Sequence, residues 1–98
     1  MKAAFIFLAP GANPEIHKSV IKTDEIELIS VGVPNYNEAC KAAVNLLKEG
    51  ISAIELCAGF GVEGTAKIKQ AVKSKVPVGA VRFDIHPGLG NKSGDEIF

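Results

Sequence analysis

Glycines follow a strand-like run in the segment 53–64 and lead directly into a helix-like stretch. Glycine lets the backbone approach a ligand closely, and the first N–H groups of a helix carry the positive end of its dipole. We therefore predict that the backbone amides of Gly59, Phe60, Gly61 and Val62 hold a small anion. The alternative is that these glycines serve only a tight turn and close packing.

The spacing of Gly59, Gly61 and Gly64 also matches the GxGxxG pattern of dinucleotide-binding proteins, and Asp84 follows about twenty residues later. The chain after Asp84 is too short to build the second half of such a domain. A mononucleotide, a phosphate or a carboxylate therefore suits the sequence better than NAD. No particular cofactor is identified.

Cys57 lies immediately before the glycine loop, where the amino terminus of a helix would favour its thiolate. His86 follows the next predicted strand and is placed to act as an acid or base in the same pocket. With Asp84, these residues are the candidate catalytic residues for lyase, isomerase or transfer chemistry. The alternatives are a packing role for Cys57 and a backbone-capping role for His86. The two histidines lie far apart without a carboxylate pattern, so we predict no metal site.

Four short apolar runs predict strands, at residues 3–8, 26–31, 52–57 and 78–83. Apolar residues at helical spacing predict one helix from about 36 to 49 and a second from Gly64 to near Ser74. Asn35 and Gly50 suit the two cap positions of the first helix. The connection from Pro14 to Thr23 is compatible with a short helix, but its pattern is the weakest.

Strands that alternate with helices predict a four-stranded, mainly parallel sheet in β/α repeats, of flavodoxin-like or half-barrel type. The loops after the strands then meet at the carboxyl edge, where such sheets bind ligands. Arg82 would add positive charge there, and Asn35, Tyr36 and His86 would contact the rest of the ligand. Glu55 and Arg82 also put charge on one sheet face, where they either pair or line the pocket.

Composition limits the classes of function. The 98 residues, 47% of them hydrophobic, predict one domain over 1–98 with an irregular tail at 85–98. The 11 basic and 11 acidic residues show no clustering, which argues against nucleic-acid and anionic-membrane partners. The apolar amino terminus is too short for a membrane span and is interpreted as a strand rather than a signal peptide.

The cysteine pattern and the sheet suggest a cellular setting and an assembly state. Two cysteines without CxxC spacing favour a reducing cytoplasm. A partly covered sheet with exposed edges favours a homo-oligomer, most simply a dimer. The main hypothesis is thus a small oligomeric protein that binds an anionic metabolite. An enzyme and a structural subunit without a ligand are the alternatives.

Three segments, Val31–Tyr36, Glu55–Gly61 and Val81–Gly88, together resemble a family of short uncharacterised bacterial α/β proteins with a domain-of-unknown-function label. The resemblance spans nearly the whole chain and implies a compact, single-domain cytoplasmic protein. It implies no activity, cofactor or catalytic residue.

Overall fold

One five-stranded sheet with two α-helices on a single face makes up the computed structural model, which describes residues 1–98. The strands are β1 (Lys2–Leu8), β2 (Lys18–Lys22), β3 (Glu27–Val33), β4 (Ile54–Leu56) and β5 (Val78–Ala80). The helices are α1 (Tyr36–Lys48) and α2 (Val62–Ala71), and two single 3-10 turns, Pro87–Leu89 and Gly94–Glu96, follow in the tail. Neither α-helix has the combined length and apolar character that a membrane crossing requires.

The sheet has the order β2-β3-β1-β4-β5, and only β2 is antiparallel to its neighbour. The prediction of a small α/β domain with a mainly parallel sheet is confirmed, but the predicted strand number of four is wrong. The additional strand is β2, in the connection from Pro14 to Thr23 that was compatible with a helix. Its centre, Ser19-Val20-Ile21, contains two β-branched residues, which favour a strand at the edge of a sheet.

Strand β2 changes which sheet faces are covered. The parallel strands follow the order β3-β1-β4-β5, as in doubly wound sheets, where a helix after the first strand covers the second face. Here β2 replaces that helix. Both remaining crossovers run in the same direction across the sheet, so right-handed connections place α1 and α2 on the same face. The predicted small α/β domain therefore carries both helices on one sheet face, rather than the two covered faces of a flavodoxin-like layout.

The core lies between the two helices and the covered sheet face. Strand β4 shows the pattern, because Ile54 and Leu56 are 1% and 0% exposed while Glu55 between them faces solvent. Glu55 therefore puts charge on the sheet face opposite the core, as the sequence predicted for one face. Each aliphatic side chain buried so fully contributes about 1.5–3 kcal/mol relative to an exposed one. The other strand residues of the core are Ala4, Ile6, Ile29, Val31 and Val33.

Helix α1 presents small residues to the sheet, and Ala39 and Ala43 are both fully buried. It ends before Gly50, whose φ of +85° suits the predicted carboxyl cap. Helix α2 ends at Ala71, three residues before the predicted end, because Lys73 and Ser74 take positive φ values of 54° and 55°.

The four parallel strands end at the same edge of the sheet, so the loops that follow them meet there. The tail returns to this edge, and its last 3-10 turn packs against α2. An isolated bridge between His86 and Lys92 closes the loop that precedes this turn. The tail thus combines irregular segments with two short ordered turns.

Candidate functional site

The loop between β4 and α2, residues 57–61, carries the amides that the sequence assigned to an anion. Gly59 N–H donates to Cys57 Sγ (3.3 Å), and Phe60 N–H donates to the Cys57 carbonyl oxygen (3.1 Å). Gly61 N–H donates to the Tyr36 hydroxyl (3.0 Å). These amides are already bonded within the protein, and an external anion would reach them only by displacing internal partners.

The amino terminus of α2 does hold an anion, which is the carboxylate of Asp95 from the tail. Asp95 Oδ2 accepts from Glu63 N–H (3.1 Å), and Oδ1 accepts from Gly64 N–H (3.0 Å). These residues are the second and third of α2, whose N–H groups a capping side chain normally satisfies. Gly61 at the N-cap position makes no side-chain bond. The tail therefore supplies the missing cap.

Tyr36 completes the polar contact around Asp95. Its hydroxyl donates to Asp95 Oδ1 at 2.9 Å. Burial alone would raise the pKa of Asp95, but bonds from the Glu63 amide, the Tyr36 hydroxyl and the Gly64 amide together lower it below its ordinary value. Burial and the neighbouring carboxylate raise the pKa of Tyr36 to about 12. At neutral pH an ionised carboxylate therefore accepts a bond from a protonated phenol.

Three glycines provide space for this arrangement. A Cβ at Gly61 would meet the Asp95 carboxylate, and one at Gly64 would meet the Tyr36 ring. In the tail, a Cβ at Gly94 would collide with the carbonyl oxygen of Gly59. The glycines of the GxGxxG pattern are thus used for close internal approach, which agrees with the packing interpretation of that pattern.

The end of the tail is fixed by polar and aromatic contacts. Ser93 Oγ accepts from Asp95 N–H (3.1 Å), and Ser93 N–H donates to Glu96 Oε2 (2.9 Å), so the two residues form a capping box. The ring centroid of Phe98 lies 6.1 Å from that of Tyr36, and the Tyr36 ring also stacks against Phe60 at 5.6 Å. The tail is therefore anchored on both sides of Asp95.

Beside this anchor lies an open cleft of about 300 Å³ between the start of α2, the end of β5 and the tail. Arg82 Nε bonds to Asp84 Oδ1 at 2.9 Å, and their side chains are 73% and 77% exposed. An ion pair so exposed contributes little to stability, and the other N–H donors of the guanidinium remain free. The lining residues are Phe60, Gly61, Val62, Thr65, Ala80, Arg82, Phe83, Asp84 and Ser93.

The structure brings five of the residues singled out in the sequence together around this cleft, namely Phe60, Gly61, Val62, Arg82 and Asp84. Arg82 bonds to Asp84 and not to Glu55, because the extended segment that carries both partners lies beyond the end of β5. Tyr36 does not line the cleft, but its hydroxyl accepts a hydrogen bond from the N–H of Gly61, which does. Asn35 instead caps α1, and its Oδ1 accepts from Glu38 N–H (2.9 Å).

Cys57 and His86 do not meet. Cys57 Sγ accepts from Leu8 N–H (3.4 Å) and Gly59 N–H, and no side-chain base bonds to it. His86 Nδ1 accepts from Gly88 N–H (2.9 Å), which is the capping role weighed for it in the sequence. No hydrogen bond joins the two side chains, and neither lines the cleft.

Sequence reasoning missed the contributions of Asp95, Ser93 and Thr65. The motif Ser93-Gly-Asp-Glu96 was a visible signal, because S-x-x-E is the pattern of a capping box and so indicates local order in the tail. Nothing local indicates that Asp95 reaches α2. Thr65 Oγ1 donates to the Gly61 carbonyl oxygen (3.0 Å) at the wall of the cleft.

No group of three or more histidine, cysteine, aspartate or glutamate side chains is arranged to hold a metal ion. Among known proteins, the model of a family of unknown function, DUF6506, matches residues 1–96. No curated protein and no solved structure matches the chain significantly.

Proposed function

The chain belongs to the DUF6506 family, whose function is unknown, and we propose that it binds a small metabolite with an apolar body and one anionic group. The ligand occupies the cleft between α2, the end of β5 and the tail. Arg82 binds its carboxylate or phosphate, and the exposed side chains of Val62 and Phe83 contact its apolar part.

The observation that carries this proposal is a guanidinium with unused donors at an otherwise largely apolar cleft. The Asp84 bond uses only Nε of Arg82, out of the five N–H donors of an arginine. A planar guanidinium binds carboxylate and phosphate through paired hydrogen bonds. Apolar walls with a small number of polar groups are the usual composition of small-molecule sites.

The dimensions and charges of the cleft restrict the ligand. Its volume of about 300 Å³ is at the lower end of the range for ligand pockets, which favours a compact metabolite over a dinucleotide. Asp95 already satisfies the amides at the start of α2, and its negative charge repels a second anion there. The anionic group therefore binds at Arg82 rather than at the glycine loop.

The proposal does not extend to catalysis. Cys57 and His86 share no contact, and each forms hydrogen bonds with backbone amides away from the cleft lining. Asp84 does line the cleft, where its role is to orient the Arg82 guanidinium through the bond to Nε.

The test is thermal unfolding of the protein with phenylacetate, hexanoate and phenyl phosphate, each compared with an uncharged analogue such as phenylacetamide. A ligand that binds only the native state raises Tm, and saturation at a hundred times Kd adds about 2.7 kcal/mol. Arg82→Gln should weaken binding of the charged compounds by about ten- to a hundredfold, because a hydrogen bond to a charged group contributes about 1.5–3 kcal/mol.

Lys75→Gln is the matched control, because Lys75 is an exposed cation outside the cleft. It should leave every shift in Tm unchanged. Equal shifts for phenylacetate and phenylacetamide, or an Arg82→Gln variant that binds the charged probes as the wild type does, would rule out the proposed role of Arg82. No shift with any probe would count against a ligand of this class.

A further inference from the structure

The cleft between α2, the end of β5 and the tail carries a negative side chain beside its positive one. Asp84 Oδ1 accepts the bond from Arg82 Nε, and Asp84 Oδ2 accepts no hydrogen bond within the protein. The pair as a whole is neutral. A ligand that brings only a carboxylate to Arg82 therefore adds a negative charge that nothing in the pair compensates, and its carboxylate repels that of Asp84.

We propose that the ligand is a zwitterion, an α-amino acid with an apolar side chain, whose carboxylate binds Arg82 and whose ammonium group binds Asp84. This inference rests on the proposed function, because it keeps the anionic group at Arg82 and adds a second charged group to the same ligand. Near neutral pH an α-carboxyl group is ionised and an α-amino group is largely protonated. An amino acid therefore brings both charges and leaves the occupied cleft neutral.

The contact between the two side chains also restricts the spacing of the ligand's charges. Arg82 Nε and Asp84 Oδ1 are 2.9 Å apart, so a ligand that reaches both side chains must carry its own charged groups close together. In an α-amino acid the carboxylate and the ammonium group are attached to the same carbon atom. The spacing therefore favours an α-amino acid over a ligand whose amino group lies at the far end of a chain.

Two hydroxyl groups of the lining complement the two charges. Thr65 Oγ1 donates its hydrogen to the Gly61 carbonyl oxygen (3.0 Å), so only its lone pairs remain for a ligand. Ser93 Oγ accepts from Asp95 N–H (3.1 Å), and its own hydrogen has no acceptor within the protein. Thr65 can therefore accept a bond from an ammonium group, and Ser93 can donate one to a carboxylate. The cleft thus has unused acceptors as well as unused donors.

The apolar part of the lining accommodates the side chain of the amino acid. Val62 and Phe83 are 64% and 41% exposed, so both have surface left for a ligand to cover. The volume of about 300 Å³ is at the lower end of the range for ligand pockets. It therefore favours a single amino acid over a peptide.

Isothermal titration calorimetry with matched pairs of probes tests the inference. Hydrocinnamate has the carbon skeleton and the carboxylate of phenylalanine but no amino group, and hexanoate stands in the same relation to norleucine. In each pair the amino acid should bind about five- to tenfold more tightly, the effect of one added charge pair at a partly exposed site. Phenylalaninamide, which keeps the ammonium group but has no carboxylate, should bind more weakly than phenylalanine.

Asp84→Asn is the decisive variant, because asparagine keeps an oxygen that can accept from Arg82 Nε and removes only the negative charge. It should reduce the preference for phenylalanine over hydrocinnamate to a ratio of about one. Asp24→Asn is the matched control, since Asp24 is an exposed carboxylate outside the cleft. It should leave that ratio as it is in the wild type.

The outcomes separate this inference from the proposed function. If hydrocinnamate binds in an Arg82-dependent way and phenylalanine binds no more tightly, the inference is overturned and the proposed function stands. A preference for phenylalanine that survives Asp84→Asn also overturns the inference, because the ammonium group then binds elsewhere. If no probe binds, or if Arg82→Gln binds hydrocinnamate as the wild type does, the proposed function fails and the inference fails with it.

Discussion

Helix α1 receives its amino-terminal cap from the neighbouring residue in the chain, whereas α2 receives its cap from a residue 31 positions beyond the bonded amide of Gly64. Asn35 bonds to an amide in the first turn of α1, as an N-cap residue does. Gly61 has no side chain to do this for α2, and Asp95 takes over that role. The first helix start is a local property of the sequence, and the second depends on the folded tail.

This difference has a consequence for the cleft. Because the cap of α2 comes from the tail, the same contact that stabilises the helix start also fixes Ser93 at the cleft wall. Changes that release the tail should therefore affect both the helix and the proposed ligand site. Changes at the α1 cap should affect stability alone.

The largest effect is expected from Gly94→Ala. The new Cβ would collide with the backbone carbonyl of Gly59, which cannot rotate away as a side chain can, so the tail must move. We expect a loss of about 3 kcal/mol in the free energy of unfolding. Gly79→Ala is the control, because nothing lies within 4 Å of that Cβ, and it should be neutral in urea denaturation. Equal stability of the two variants would contradict the tight tail contact.

Asp95→Ala should be the next most damaging change, at about 2 kcal/mol, because it removes the cap of α2 and leaves the Tyr36 hydroxyl without its acceptor. Adding Gly61→Asp to this variant supplies a local cap in the space that the Asp95 carboxylate vacates. The double variant should recover about 1 kcal/mol. If denaturation shows the double variant to be no more stable than Asp95→Ala, the cap is not the main role of Asp95.

Asn35→Ala should cost about 1 kcal/mol, because it removes a single local capping bond at the start of α1. Asn37→Ala nearby in α1 is the control, since the exposed Asn37 side chain makes no hydrogen bond and alanine favours helices. Asn35→Ala should also leave probe binding at the cleft unchanged. A cost no greater than that of Asn37→Ala would show that the α1 cap contributes nothing measurable.

The smallest expected effect concerns acid stability. The pKa of Asp95 is below its ordinary value of 3.8 in the folded protein, so the unfolded chain takes up the proton first as pH falls. The contribution of Asp95 is therefore complete above that ordinary value and is lost as pH drops through the folded pKa. Wild type should lose stability more steeply than Asp95→Asn between about pH 5 and pH 2.

The pKa of Glu27 is also lowered, but Glu27 is present in both the wild type and Asp95→Asn. The difference between the stability profiles of these two proteins against pH therefore isolates the effect of Asp95. Burial opposes this shift at Glu27, and the bonds to Lys22 and Lys2 outweigh it. If the stability of the wild type and that of Asp95→Asn fell in parallel as pH is lowered, the hydrogen bonds to Asp95 would not favour its ionised form.

Much of the fold follows from local patterns. Strands β1, β3, β4 and β5 lie within or close to the apolar runs from which strands were predicted, although β4 and β5 are only three residues long. Helix α1 begins at its predicted cap, Asn35, and ends at Lys48, two residues before Gly50. Strand β2 was missed because its five residues are all exposed and pair only with β3. Its sequence therefore shows no periodic pattern of buried apolar residues.

The sequence by itself determined the elements whose signals are local: the apolar strands, the amphipathic α1 with its Asn35 cap, and the alternation around Glu55. It also singled out the glycine loop and five of the residues that line the cleft, but not Thr65 or Ser93. Only the tertiary structure decided which anion the start of α2 holds, because that choice depends on the path of the tail to Asp95. Tertiary structure likewise decided that one sheet face has no helix, since this follows from strand order and crossover direction rather than from any local pattern.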